Sequence, residues 1–398
     1  MKIRNTNILI LFFTLIVIMM GFGMIIPIMP FYVKQLGASG SALGFLMATY
    51  GVMQFIFAPF WGQLSDRYGR KKILMLGVLG NAATQVLFGL STHLWMLFAA
   101  RILSGMLSSA TLPTAMAFIS DSTSREQRGG GMGIIGAAFG IGMVIGPGLG
   151  GWLATESLSL PFFIAAGLSM VAFALIALIL PESLPQEKRI ALPNKFRGPQ
   201  LSKMWKYLFG PLGFLLFMAC LLTFGLTNFE AIFGLYSADR YGYSPRLVGI
   251  LFMVIGVVSA VVQGLLTGPL TRRWGEANVI RGSLIASAAG FLILTQVNTL
   301  PAVIAAVCFF ILSNALLNPA NSSLISKRTE ASQGLVMGLN NSYQSLGRII
   351  GPAWAGLVYD ININFPYWTG AVVMVVGFAL SLVLLTQEAS HQGVTAAD

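Results

Sequence analysis

Charge is scarce in this 398-residue chain: Asp, Glu, Lys and Arg together make up 9% of it. Soluble globular chains carry roughly a quarter, so a soluble domain is excluded. Acid is scarcer still, with 13 Asp and Glu against 24 Lys and Arg and a net charge of +11. There are two histidines and two cysteines. His93 lies at the edge of an apolar run and His391 in the polar C-terminal stretch. Cys220 and Cys308 sit in separate apolar runs, lack metal-ligand spacing and read as inert packing residues. No Ser/His/Asp, Cys/His or metal-ligating constellation is present, so no enzyme, no catalytic residues and no metal or cofactor site are expected. The first apolar run is too long for a signal peptide and lacks a small-residue cleavage site, which predicts a retained first span. Neither the termini nor any internal stretch is long enough for a soluble signalling domain, which argues against a receptor.

What the chain has instead is hydrophobic length, 56% apolar residues and a mean hydropathy of +0.79. About 20 apolar residues carry a helix across a bilayer. The pattern predicts spans over 8–33, 41–61, 73–91, 94–120, 129–154 and 161–181. A second set falls at 207–236, 245–268, 279–297, 301–325, 333–359 and 366–387. Residues 182–206 hold prolines and mixed charge and read as a linker. The chain then divides into a first bundle (1–181), the linker, a second bundle (207–387) and a polar tail (388–398). Lys34, Arg240 and Arg246 fall on one side, and Arg101 and Arg348 lie inside spans. All other cations fall on the opposite side, so the linker and both termini are expected in the cytoplasm. The net charge is therefore topological, and nucleic acid is not an expected partner. The expected location is the cell membrane, crossed many times.

The chain repeats itself. Gly62-Gln63-Leu64-Ser65-Asp66-Arg67-Tyr68-Gly69-Arg70-Lys71-Lys72 is too polar for hydrocarbon and reads as a turn between two spans. Gly268-Pro269-Leu270-Thr271-Arg272-Arg273-Trp274-Gly275 repeats its glycines, leucine, hydroxyl, second arginine and aromatic in register. Met132-Gly133 precedes Gly146-Pro147 just as Met337-Gly338 precedes Gly351-Pro352, and Pro113 matches Pro319. Two parallel six-helix repeats are one plan of secondary transporters.

The first turn fills every position of the G-x-L-x-D-R-x-G-R-K-K loop of the major facilitator superfamily, which the chain resembles. That resemblance implies an all-α integral membrane protein of twelve helices in two pseudo-symmetric six-helix bundles. It also implies a cytoplasmic latch of Gly62, Asp66, Arg67, Gly69, Arg70 and Asp121, the last at the end of span four. Asp66 and Arg70 are spaced to pair on a helical turn, and a carboxylate here can serve the N-terminus of a neighbouring helix. Arg272 stands where Asp66 stood, so the latch is complete in the first copy alone.

Gly142, Gly146 and Gly150 recur every fourth residue and form a smooth helix face for close approach. With Pro147 and Gly151 they resemble the G-x-x-x-G-P-x-x-G-G motif of proton-driven antiporters, which implies export. Arg101 matches the span-four arginine that the family associates with proton coupling. Glu230, the one acid placed well inside a span, matches the coupling acid of NorA-type multidrug pumps. Gln54 and Asn340 match the same pumps, and with Glu230 and Arg348 they are the expected substrate-cavity residues. Two departures stand out. Ala315 replaces a second acid of those pumps, and Val17-Ile18-Met19-Met20 lacks the span-one aspartate of TetA-type exporters. The expected protein is a monomeric proton-coupled exporter of small amphipathic compounds such as drugs, with the bilayer and the substrate as partners and the proton as coupling ion. A metabolite, sugar-type or lipid transporter on the same fold is the alternative.

Overall fold

The computed structural model describes residues 5–123, 128–189, 198–199, 201–329 and 332–394. Its regular elements are helices. In hydrocarbon every backbone donor and acceptor needs a partner within the protein, and a helix supplies one locally. The first six long helices are α1 (Asn5–Gln35), α2 (Gly40–Tyr68), α3 (Arg70–Gly89), α4 (Leu94–Ser122), α5 (Arg128–Leu153) and α6 (Leu160–Leu178). A short helix follows, α7 (Leu201–Leu208), which straddles the end of the expected linker (182–206) and the start of the expected seventh span. Then come α8 (Gly213–Tyr241), α9 (Pro245–Trp274), α10 (Glu276–Leu294), α11 (Leu300–Arg328), α12 (Gln333–Tyr359) and α13 (Phe365–Val394).

Eleven of these are long and apolar enough to cross a membrane. The remaining expected span, the eleventh, is α12; it is 27 residues long but carries Asn340, Asn341, Ser342, Gln344, Ser345 and Arg348 along its length. Helix α13 runs to Val394, past the expected span end at 387, and residues 395–398 lie outside the described residues. So do 190–197 and 200 of the expected linker.

Proline acts at matched places in the two copies. It lacks an N–H and its ring crowds the carbonyl four residues earlier. Before Pro113, α4 tightens into a 3-10 turn at Ser108–Ala110. Before Pro319, α11 loosens at Ala315 and Leu316.

Two compact units form. The first holds 1–199 and 237–256, the second 200–236 and 257–398. In the first unit, Leu11, Leu15 and Ile18 of α1 meet Leu74, Val78, Ala138 and Ile176 in one core. The glycine face of α5 lies against α1. A Cβ on Gly142 would come within 2.5 Å of Met19 Cβ, and one on Gly146 within 2.5 Å of the Met20 carbonyl. Gly150 meets Met24, whereas Gly151 turns to Gly249 of α9. That contact, with the Lys34–Asp239 ion pair at 2.5 Å, belongs to the first unit, so its bounds differ from the division expected at 207. In the second unit Gly347 and Gly351 of α12 repeat the arrangement against Cys220, Phe224 and Thr227 of α8. Thr227 Oγ1 donates to the Gly347 carbonyl at 3.1 Å.

This geometry separates glycines that look alike in sequence. Gly146→Val is expected to force α1 and α5 apart and to lower the thermal midpoint sharply, since overpacking costs about 1–3 kcal/mol or more. Gly140, with nothing near its Cβ position, should accept alanine with unchanged or raised stability. Thermal unfolding of both variants in detergent checks the contrast, and equal midpoints would remove the packing role.

Candidate functional site

At the junction of α2 and α3 the expected eleven-residue turn is a single residue. Helix α2 continues through Gly62 to Tyr68, and Gly69 alone reverses the chain, at φ +100° and ψ 152°. Gly62 sits inside the helix with open space around its Cβ position, so it does not make the turn. Arg70, the next residue, is the hub. Its guanidinium donates to Asp66 at 2.6 Å, Asp121 at 3.0 Å and Ser65 Oγ at 2.6 Å, and its side chain is 9% exposed. The expected pairing of Asp66 with Arg70 is present. Arg67 is exposed and lies over the Tyr68 ring.

The start of α3 poses an electrostatic problem. Three cations, Arg70, Lys71 and Lys72, occupy a helix N-terminus, where the dipole disfavours them. The compensating carboxylate is Glu182, which sequence reading placed in the linker. It accepts from the N–H groups of Arg70 at 2.8 Å and Lys71 at 3.3 Å. A Cβ on Gly69 would collide with it.

The second copy answers the same problem differently. Gly275 repeats the reversal at φ +75°, and Glu276 opens α10 with a negative charge of its own. Glu276 pairs with Lys327 at the end of α11 and accepts from Ser323 at 3.0 Å. The Arg70–Asp121 pair therefore recurs as Glu276–Lys327 with both signs exchanged, and Asp66 recurs as Arg272.

Arg101 is 1% exposed in the first unit. Gly105, one turn on, lets α4 press against Tyr50 and Met53 of α2. The guanidinium then lies 5.6 Å from the Tyr50 ring and 5.7 Å from the Phe88 ring, and it donates to Met47 Sδ at 2.7 Å. Among the described residues no carboxylate forms an ion pair with it. Gln54 is half-buried, one turn beyond Tyr50 on α2.

Glu230 belongs to the second unit, mid-way along α8. The residues around it pin the helix: Phe229 stacks on Phe233 and meets Phe310, each at 4.8 Å between ring centres. Asn228 Nδ2 donates to the Pro366 carbonyl at 2.8 Å. Those side chains take the covered faces and leave Glu230 half-buried on another. The positive charge of Arg348, on α12, acts on it. Arg348 shares a unit with Glu230, and Arg101 is packed among aromatics of the first unit. Asn340 is buried further along α12, tying it to Ser322 of α11 at 3.1 Å.

Residues 11–352 and 264–397 match the family profile of the Major Facilitator Superfamily. The chain is 35% identical to Multidrug resistance protein 2 of Bacillus subtilis (strain 168) over 381 residues, 96% of this chain and 95% of that protein. It is 28% identical to Quinolone resistance protein NorA of Staphylococcus aureus (strain COL) over 380 residues, 95% and 96% of the two chains. Among solved structures, a bacterial homologue of the human lysosomal transporter Spinster, inward-facing and unoccupied, superposes at a TM-score of 0.75 and 15% identity over 96% of each chain. That likeness speaks to the fold. Together with the long apolar helices and the duplicated junction, these matches place the chain, as a multi-pass membrane protein, in the Major Facilitator Superfamily.

Proposed function

We propose that the chain is a proton-coupled antiporter that exports small amphipathic compounds, drugs and antibiotics among them, by alternating access across the cell membrane. The observation that carries the proposal is Glu230, a titratable acid deep in a span, partly open, with the positive charge of Arg348 acting on it. Intramembrane acids are costly and mark proton relays. Arg101, buried and with no carboxylate paired to it among the described residues, is the second coupling residue. Glu230, Arg348 and Asn340 of the second unit and Gln54 of the first serve substrate binding, each within its own unit, and the Arg70 junction serves as the cytoplasmic latch. The relatives named for multidrug and quinolone resistance support the substrate class.

The test uses inside-out vesicles acidified within. Adding a panel of lipophilic drugs and dyes should discharge the pH gradient for some of them, and those same compounds should accumulate. Accumulation with no proton movement would overturn antiport. Orientation is tested separately: Glu187→Cys, in a background without Cys220 and Cys308, should react with an impermeant maleimide from the cytoplasmic face. Labelling from outside would invert the topology.

A further inference from the structure

We propose that α7 is a lipid-binding helix, seated at the membrane surface and selective for anionic phospholipid headgroups. Leu201, Met204, Trp205 and Leu208 recur at i, i+3, i+4 and i+7, which gives the helix one apolar face. The protein covers only one flank of that face. Met204 is buried, and its carbonyl accepts from Tyr343 Oη of α12 at 3.0 Å. The other flank is bare: Leu201, Trp205 and Phe209 are 62%, 68% and 73% exposed. Trp205 and Phe209 meet edge to face at 5.2 Å, forming one aromatic surface. Lys203 and Lys206 are exposed on the side away from Met204.

The position of the helix says what covers that surface. Four residues separate Leu208 from Gly213, where the span α8 begins. The elbow is tied by Gly210 N–H to the Tyr207 carbonyl at 3.2 Å and Gly213 N–H to the Gly210 carbonyl at 2.9 Å. So α7 is held at the level where a membrane span ends. Tryptophan concentrates at that depth. A basic helix with an aromatic and aliphatic face lies in the interface plane, its apolar side among the upper acyl carbons. The two lysines then stand among headgroups, and phosphate-bearing anionic lipids complement them. Pairing with a soluble protein would leave the aromatic face at the hydrocarbon edge unused.

The test needs no transport and so does not depend on the exporter reading. Full-length chain is reconstituted in equal parts phosphatidylcholine and phosphatidylglycerol, with bromine on the upper acyl carbons of one lipid or the other. The fluorescence lost in Trp205→Tyr defines the Trp205 signal. That signal should be quenched, more strongly by brominated phosphatidylglycerol than by brominated phosphatidylcholine. Lys203→Gln/Lys206→Gln should raise the brominated phosphatidylglycerol needed for half-quenching by about fivefold per lysine removed. An unquenched Trp205 would overturn the membrane seat. Equal quenching by both lipids in the unaltered chain would overturn the anionic selectivity. Matched thermal midpoints confirm that the variants are folded.

Discussion

Glu230→Gln should fold, reach the membrane and bind a neutral substrate, yet lose pH-gradient-driven accumulation altogether. Antiport needs a group that takes a proton from one side, releases it to the other and responds to substrate in between. Glutamine has the shape of the protonated acid and cannot release the proton, so it holds that group in one state. The fold should survive, because α8 is anchored by Phe229, Phe233 and Asn228 rather than by residue 230. A permanent Glu230–Arg348 brace predicts otherwise. Breaking a buried pair by removing one partner costs about 3–5 kcal/mol, and neutralising Arg348 as well should return part of it. Thermal unfolding alongside pH-jump efflux of a fluorescent dye separates the two. An unchanged midpoint with no proton-driven efflux supports coupling. Full gradient-driven efflux by well-expressed Glu230→Gln would end the coupling role, and Ala315 offers no second acid to replace it.

What the sequence carried locally, it carried well. Span positions, the duplication and the glycine face follow from apolar length and residue spacing, and α5 does meet α1 through Gly142, Gly146 and Gly150. The Asp66–Arg70 pair was legible for the same reason, four residues apart. Contacts between distant segments were legible only through the family resemblance, as with Arg70 and Asp121, or not at all. Glu182 reaches the start of α3 across 112 positions, and nothing near it in sequence marks it as a helix cap. Gly62 and Gly69 look equivalent as letters; only backbone geometry shows that one lies in a helix and the other makes the turn. The charge inversion at Glu276 and Lys327 was present in the aligned repeat, but it gained meaning only when the ends of α10 and α11 met. Helix α7 was missed because prolines and charges across 182–206 dilute an eight-residue apolar period.

Arg70→Ala should cost more transport than Asp66→Asn, because Arg70 is the shared partner. Its loss leaves Asp66, Asp121 and Ser65 without their common donor, and places two carboxylates near each other with no cation between them. Hydrogen bonds to charged groups contribute about 1.5–3 kcal/mol each. Asp66, whose side chain is 41% exposed, falls at the weak end of that range. Under the proposed alternating access the conformational ratio moves tenfold for about 1.4 kcal/mol, so removing the hub should shift the proposed latch by one to two orders of magnitude. Arg70→Lys should fall between, since an ammonium keeps the charge but lacks the fork that serves three acceptors. The inverted copy provides the control. Lys327 is 64% exposed, so Glu276→Gln loses a screened pair, about 1 kcal/mol or less. Efflux at matched membrane levels should therefore rank Glu276→Gln nearest the unaltered chain, then Asp66→Asn, then Arg70→Lys, with Arg70→Ala lowest. Equal efflux by Arg70→Ala and the unaltered chain would reduce the junction to a signal for membrane topology. A fall in efflux matched by an equal fall in membrane level would instead make Arg70 a folding strut, with Glu182 completing the same local structure.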